Sequence, residues 1–134
     1  MLLLGIVIPG CARKFRDSGS GAMLSVELDA FSGRPNPRWT LSENESASLL
    51  EALRDLPPAG PQASPDQLGF RGFIVHNLQR AGGLPSRMRV WPGFVGYEDA
   101  AQPLVFVDAN GCLRTLIEQA KRRGYGAIVE PGHR

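Results

Sequence analysis

Phe70-Arg-Gly-Phe-Ile-Val-His-Asn-Leu78, Arg87-Met-Arg-Val-Trp91 and Leu104-Val-Phe-Val107 follow one another with no helical pattern between them. That succession decides the fold class. Phe73-Ile-Val75 is continuously apolar, which predicts a strand buried on both faces. Arg87 to Trp91 alternates polar and apolar residues, as a half-buried strand does. Arg80-Ala-Gly-Gly-Leu-Pro85 between them reads as a turn, so the two strands are expected to pair antiparallel. Pro92-Gly93 interrupts, Phe94-Val95 resumes the pairing, and Tyr97 to Pro103 reads as loop.

Working outward, Leu24-Ser-Val-Glu-Leu-Asp-Ala-Phe31 also alternates. Leu24, Val26, Leu28 and Ala30 are expected to face the core, with Glu27 and Asp29 in water. Ser42-Glu-Asn-Glu45 is a capping box, and Ala47, Leu49, Leu50, Leu53 and Leu56 follow at helical spacing before Pro57-Pro58 stops the helix. Residues 57–69 are a loop rich in Pro, Gly and Ala. Towards the C-terminus, Asp108 or Asn110 is placed to cap a second helix with the face Leu113, Leu116, Ile117 and Ala120, and Cys112 at its edge. Gly124 closes that helix as a left-handed cap, and Ala127-Ile-Val129 reads as a last strand. The order β-α-β-β-β-α-β lacks the regular alternation of a doubly wound sheet. It predicts an α+β two-layer sandwich: a mainly antiparallel sheet of four or five strands with two helices on one face.

The chain has 134 residues, is 43% hydrophobic and 21% charged, and carries a net charge of +2. That suits one core, assigned to residues 23–134, with residues 1–22 outside it. No apolar run reaches the roughly 18 residues of a spanning helix. Two cysteines exclude a disulfide framework and a four-cysteine zinc site. Removing Arg13, Lys14, Arg16, Asp17 and Arg134 from the 15 basic and 13 acidic residues leaves 11 and 12, so the folded part is nearly neutral. A nucleic-acid partner is not expected, because such a domain concentrates cations to displace phosphate counterions. The basic run Lys121-Arg-Arg123 falls at a helix end, where cations complement the macrodipole.

Three stretches invite functional readings. Leu2 to Ile8 is almost wholly apolar, and Ile8-Pro-Gly-Cys11 resembles a bacterial lipobox. The resemblance implies lipidation of Cys11, residues 13–22 as a flexible tether, and a domain held at the membrane surface of the cell envelope. No Lys or Arg precedes the apolar run. The alternative is a cytoplasmic protein whose true start is Met23. Phe31-Ser-Gly-Arg-Pro-Asn-Pro-Arg-Trp39 is stiffened by Pro35 and Pro37 around Asn36. It is expected to present Arg34, Asn36 and Arg38 outward, ready for a carboxylate, phosphate or peptide carbonyl. It otherwise serves as a rigid connector with Trp39 as a core anchor. The segment resembles one in small uncharacterised bacterial proteins, in which an FSGRPNPxW-like stretch follows the first strand. The likeness covers Leu24 to Leu56 and implies a shared start to the fold, with no reaction attached. Trp91-Pro-Gly-Phe-Val-Gly-Tyr97 gathers aromatics that suit protein or sugar contacts, or else close the core around a bulge at Pro92-Gly93.

His76 and Cys112 are the only residues suggesting nucleophilic chemistry, as a Cys–His dyad, although a small cysteine on a helix edge is more commonly core. No HxH, HExxH, CxxC, P-loop or Gly-x-Ser-x-Gly motif occurs, so neither metal nor cofactor is expected. The sequence therefore points to a non-enzymatic binding or accessory module. Its contact residues would be Arg34, Asn36, Arg38, Trp39, Trp91 and Tyr97, and its partner an unknown protein or a small anionic ligand. The alternative is a small cytosolic hydrolase or transferase using Cys112 and His76.

Overall fold

The computed structural model describes residues 23–31, 33–66, 69–98 and 104–130, so Cys11 and the tether lie outside the described residues. The elements are β1 (Ser25–Asp29), β2 (Arg38–Thr40), α1 (Glu43–Leu53), β3 (Gly72–His76), β4 (Arg87–Trp91), β5 (Phe94–Tyr97), β6 (Leu104–Val107), α2 (Cys112–Arg122) and α3 (Gly126–Val129). The strands form one antiparallel sheet in the order β2-β1-β3-β4-β5-β6. This is the expected α+β class, with six strands instead of four or five. The additional strands are β2, three residues squeezed between Pro37 and the helix cap, where alternation is too short to register, and β5, which the Pro92-Gly93 turn separates from β4. The other difference is Ala127 to Val129, which form a helical turn. Gly124, at φ +91°, ends α2, and an apolar run of three residues carries no periodicity to separate strand from helix.

Packing follows the period-2 pattern. Leu24, Val26, Leu28, Phe73, Val75, Met88, Val90 and Val95 point to one face and merge with Leu49, Leu53, Leu116 and Ala120 of the helices into a single core. Ser42 caps α1 by accepting from Glu45 N at 3.1 Å, while Glu45 Oε1 accepts from Ser42 N at 2.9 Å, completing the capping box. Glu45 also receives Arg122 and Arg123, so the basic run at the end of α2 ties the two helices together. Asp108 holds the start of α2, accepting from the main-chain nitrogens of Cys112 and Leu113 at 2.7 and 3.0 Å. Pro92-Gly93 is the two-residue turn of a β4–β5 hairpin, with Trp91 opposite Phe94, and not a bulge within one strand. Gly93 supplies the positive φ of +89° that this turn requires. At the far edge, Pro57 and Ala59 bond the main chain of β6, where Val107 N donates to Pro57 O and Ala59 N to Val105 O, both at 2.8 Å. Prolines on that margin lack the donors another strand would need.

The candidate binding face

The helices pack on one side of the sheet, and among the described residues the other face is met by the 57–66 segment at its β4–β6 end. Register places Ser25, Glu27 and Asp29 of β1, Ile74 and His76 of β3, Arg87, Arg89 and Trp91 of β4, Gly96 of β5 and Val105 of β6 on it. Asp29 is expected in water but is only 7% exposed. Its carboxylate accepts from Arg71 Nη2 at 2.8 Å and Arg71 Nε at 3.2 Å, and from Arg89 Nη1 on its other oxygen. Glu98 then takes Arg89 Nε at 2.8 Å and Arg87 Nε at 2.9 Å. The result is an alternating chain, Arg71–Asp29–Arg89–Glu98–Arg87. Burial alone would push the Asp29 and Glu98 carboxyls up, but the guanidinium hydrogen bonds and charges outweigh it and hold both below the usual range.

A second cluster lies beside it. Glu27 Oε1 accepts from His76 Nε2 at 3.1 Å and Glu27 Oε2 from Asn36 Nδ2 at 3.0 Å. Burial raises this carboxyl, and the hydrogen bonds from Asn36 and His76, together with the charges of His76 and Arg38, bring it below its ordinary value.

A pocket of about 420 Å³ opens where this face meets the 57–66 segment. Trp91, Gly96, Val105, Arg87 and Glu98 line it from the sheet, and Gln62 and Ser64 from the segment. Gly96 lets the ring in closely: a Cβ at this position would sit 3.0 and 3.1 Å from two ring carbons of Trp91, and the indole would have to give way by a few tenths of an ångström. The indole thus lies across the β5 backbone because no side chain occupies position 96.

The residues singled out from the sequence are distributed as follows. Trp91 lines the pocket, and Tyr97 borders it while packing its ring 4.6 Å from that of Phe106. Arg34 is exposed, with its guanidinium 3.9 Å from the centroid of the Phe31 ring, and Arg38 is exposed near Ser25. Asn36 is turned inward, contrary to expectation. Its Oδ1 accepts from the main-chain nitrogens of Ala30 and Phe31 at 3.1 and 2.8 Å, donors left over where β1 ends. Trp39 faces the helices, stacked on Tyr125 at 5.8 Å, with Nε1 donating to Gln119 at 3.2 Å. The proline-rich segment therefore works as a clasp on β1, with its two arginines left on the surface.

His76 and Cys112 are not brought together. His76 is on the uncovered face, whereas Cys112 is fully buried among the helices, its thiol donating to Ala52 O at 3.3 Å. Burial, and then the Asp108 charge, push that thiol up to about 12, which removes its thiolate at neutral pH. Among the described residues, no three His, Cys, Asp or Glu side chains converge as a metal site would require. Arg71, Arg89, Arg87 and Glu98 are absent from the sequence-derived candidates. Alternation places Arg87 and Arg89 on one face, but only the strand order reveals that the face is shared with Asp29. A scan against protein-family models, a search of curated proteins and a search of solved structures each return no match for this chain.

Proposed function

We propose that this chain is a non-enzymatic binding module whose contact surface is the uncovered face of the sheet, centred on the pocket between Gln62, Ser64 and strands β4–β6. The observation carrying the reading is the pocket itself, an opening of about 420 Å³ bounded by an aromatic ring and a charged pair. Openings of this size and mixed lining accommodate small ligands. Helices shield the other face of the sheet, and the proposed dyad is split between the two faces, which weighs against a cysteine-dependent hydrolase. Val105→Phe, a strand-compatible change on an edge strand, places a ring in the opening. In saturation-transfer NMR against a fragment set of neutral, cationic and anionic compounds, the wild type gives hits that this variant loses. Hits of equal strength on both proteins would contradict the reading.

The cell-envelope placement belongs to the same proposal: a lipid on Cys11 would hold the domain at the membrane surface. Among the described residues no helix is long and apolar enough to cross a membrane. Intact mass of the protein from its native host tests the anchor. The expected chain begins at Cys11 with added acyl mass, and an unmodified chain beginning at Met23 would contradict it.

A further inference from the structure

We infer that the pocket takes a small carboxylate bearing an apolar body, with Arg87 as the residue that receives its charge. This rests on the binding-module reading and adds the chemistry of the ligand. The ion-pair chain across this face runs Asp29–Arg89–Glu98–Arg87 towards the pocket, and at the pocket it ends on a cation, Arg87. The two guanidinium groups on Asp29 are well covered, Arg71 at 15% and Arg89 at 16% side-chain exposure, whereas Arg87, the end that lines the pocket, is 44% exposed. Among the described residues only the Nε–H of Arg87 is engaged, on Glu98. Its two terminal nitrogens form the planar fork that pairs with a carboxylate.

Recruiting Arg87 leaves no buried charge stranded. Glu98 retains Arg89 on its second oxygen, and Arg89 retains Asp29. A ligand carboxylate on Arg87 continues the alternation by one step. The remaining lining of Trp91, Leu104, Val105 and the Gly96 backbone offers apolar surface to the body of such a ligand. Inorganic phosphate would supply the charge but leave that surface wet.

The test is a ¹⁵N-correlation titration of the full chain with benzoate, its neutral isostere benzamide, and inorganic phosphate. The expected result is saturable benzoate-induced movement of the Gly96, Glu98 and Val105 amides, with benzamide and phosphate each weaker by roughly tenfold or more. Arg87→Gln loses about tenfold of the benzoate affinity and leaves benzamide unchanged. Glu98→Gln, which removes the competing carboxylate, tightens benzoate. Benzamide binding as well as benzoate, or Arg87→Gln without effect, would overturn the inference while leaving the binding module intact. Phosphate binding as tightly as benzoate would overturn the apolar half of it. If none of the three moves these amides the inference fails, and the fragment screen against Val105→Phe decides the binding reading separately.

Discussion

The amide of Asn36 bonds two main-chain nitrogens at the end of β1 and one oxygen of Glu27. Asn36→Ala leaves these partly buried groups without partners and is expected to reduce stability by about 1–3 kcal/mol in urea denaturation. Arg34→Ala, two residues away and exposed, is expected within about 0.5 kcal/mol of wild type. Equal losses for the two would contradict the clasp. Cys112 provides a second test. In a Cys11→Ser background, its buried, high-pKa thiol is expected to react with a disulfide reagent at pH 8 only as fast as the protein unfolds. Immediate stoichiometric labelling would show that the thiol is accessible. The burial of Cys112 was legible from its place on an apolar helix edge. The inward turn of Asn36 was not, because it depends on which main-chain donors are orphaned where β1 ends.

At β3 and β4 the backbones approach so closely that position 72 tolerates only glycine. A Cβ on Gly72 would stand 2.2 Å from the carbonyl oxygen of Val90, and its φ of +117° is itself strained for any L side chain. Gly72→Ala is therefore expected to cost more than about 3 kcal/mol, or to prevent folding, as read by thermal denaturation. Wild-type stability would mean that the strands do not meet as described. Among the elements, α1 and β1 were readable from their capping box and alternation, and the double-sided burial of β3 from its unbroken apolar run. β2 escaped because three residues carry no period. Ala127-Ile-Val129 is compatible with strand or helix in sequence, and the Gly124 turn, which directs it back onto α2, decides for the helical α3.

Taken together, the four carboxylates Glu27, Asp29, Glu45 and Glu98 are held below their ordinary values in the folded protein. As pH falls, the unfolded chain takes up protons first, so stability is fully present above the unfolded values and is lost progressively below about pH 5. Urea midpoints between pH 3 and 7 should rise with pH and then level off, and Asp29→Asn should flatten the acid limb. A profile independent of pH would contradict the buried ion-pair chain. The division of the sheet into a helix-covered and an uncovered face was legible in outline from the predicted two layers. The site on the uncovered face was not, since it arises from charges on β1, β4 and the residue after β5 that only the strand order brings together.

The most direct measurement is where on the chain ligand-induced shifts fall when wild-type hits from the fragment screen are titrated into ¹⁵N-labelled protein. Movement confined to Gln62, Ser64, Arg87, Gly96, Glu98 and Val105 is the predicted result. Movement confined to Gly33–Trp39, or to α2, would contradict it and return the contact surface to the proline-rich clasp or to the helical side.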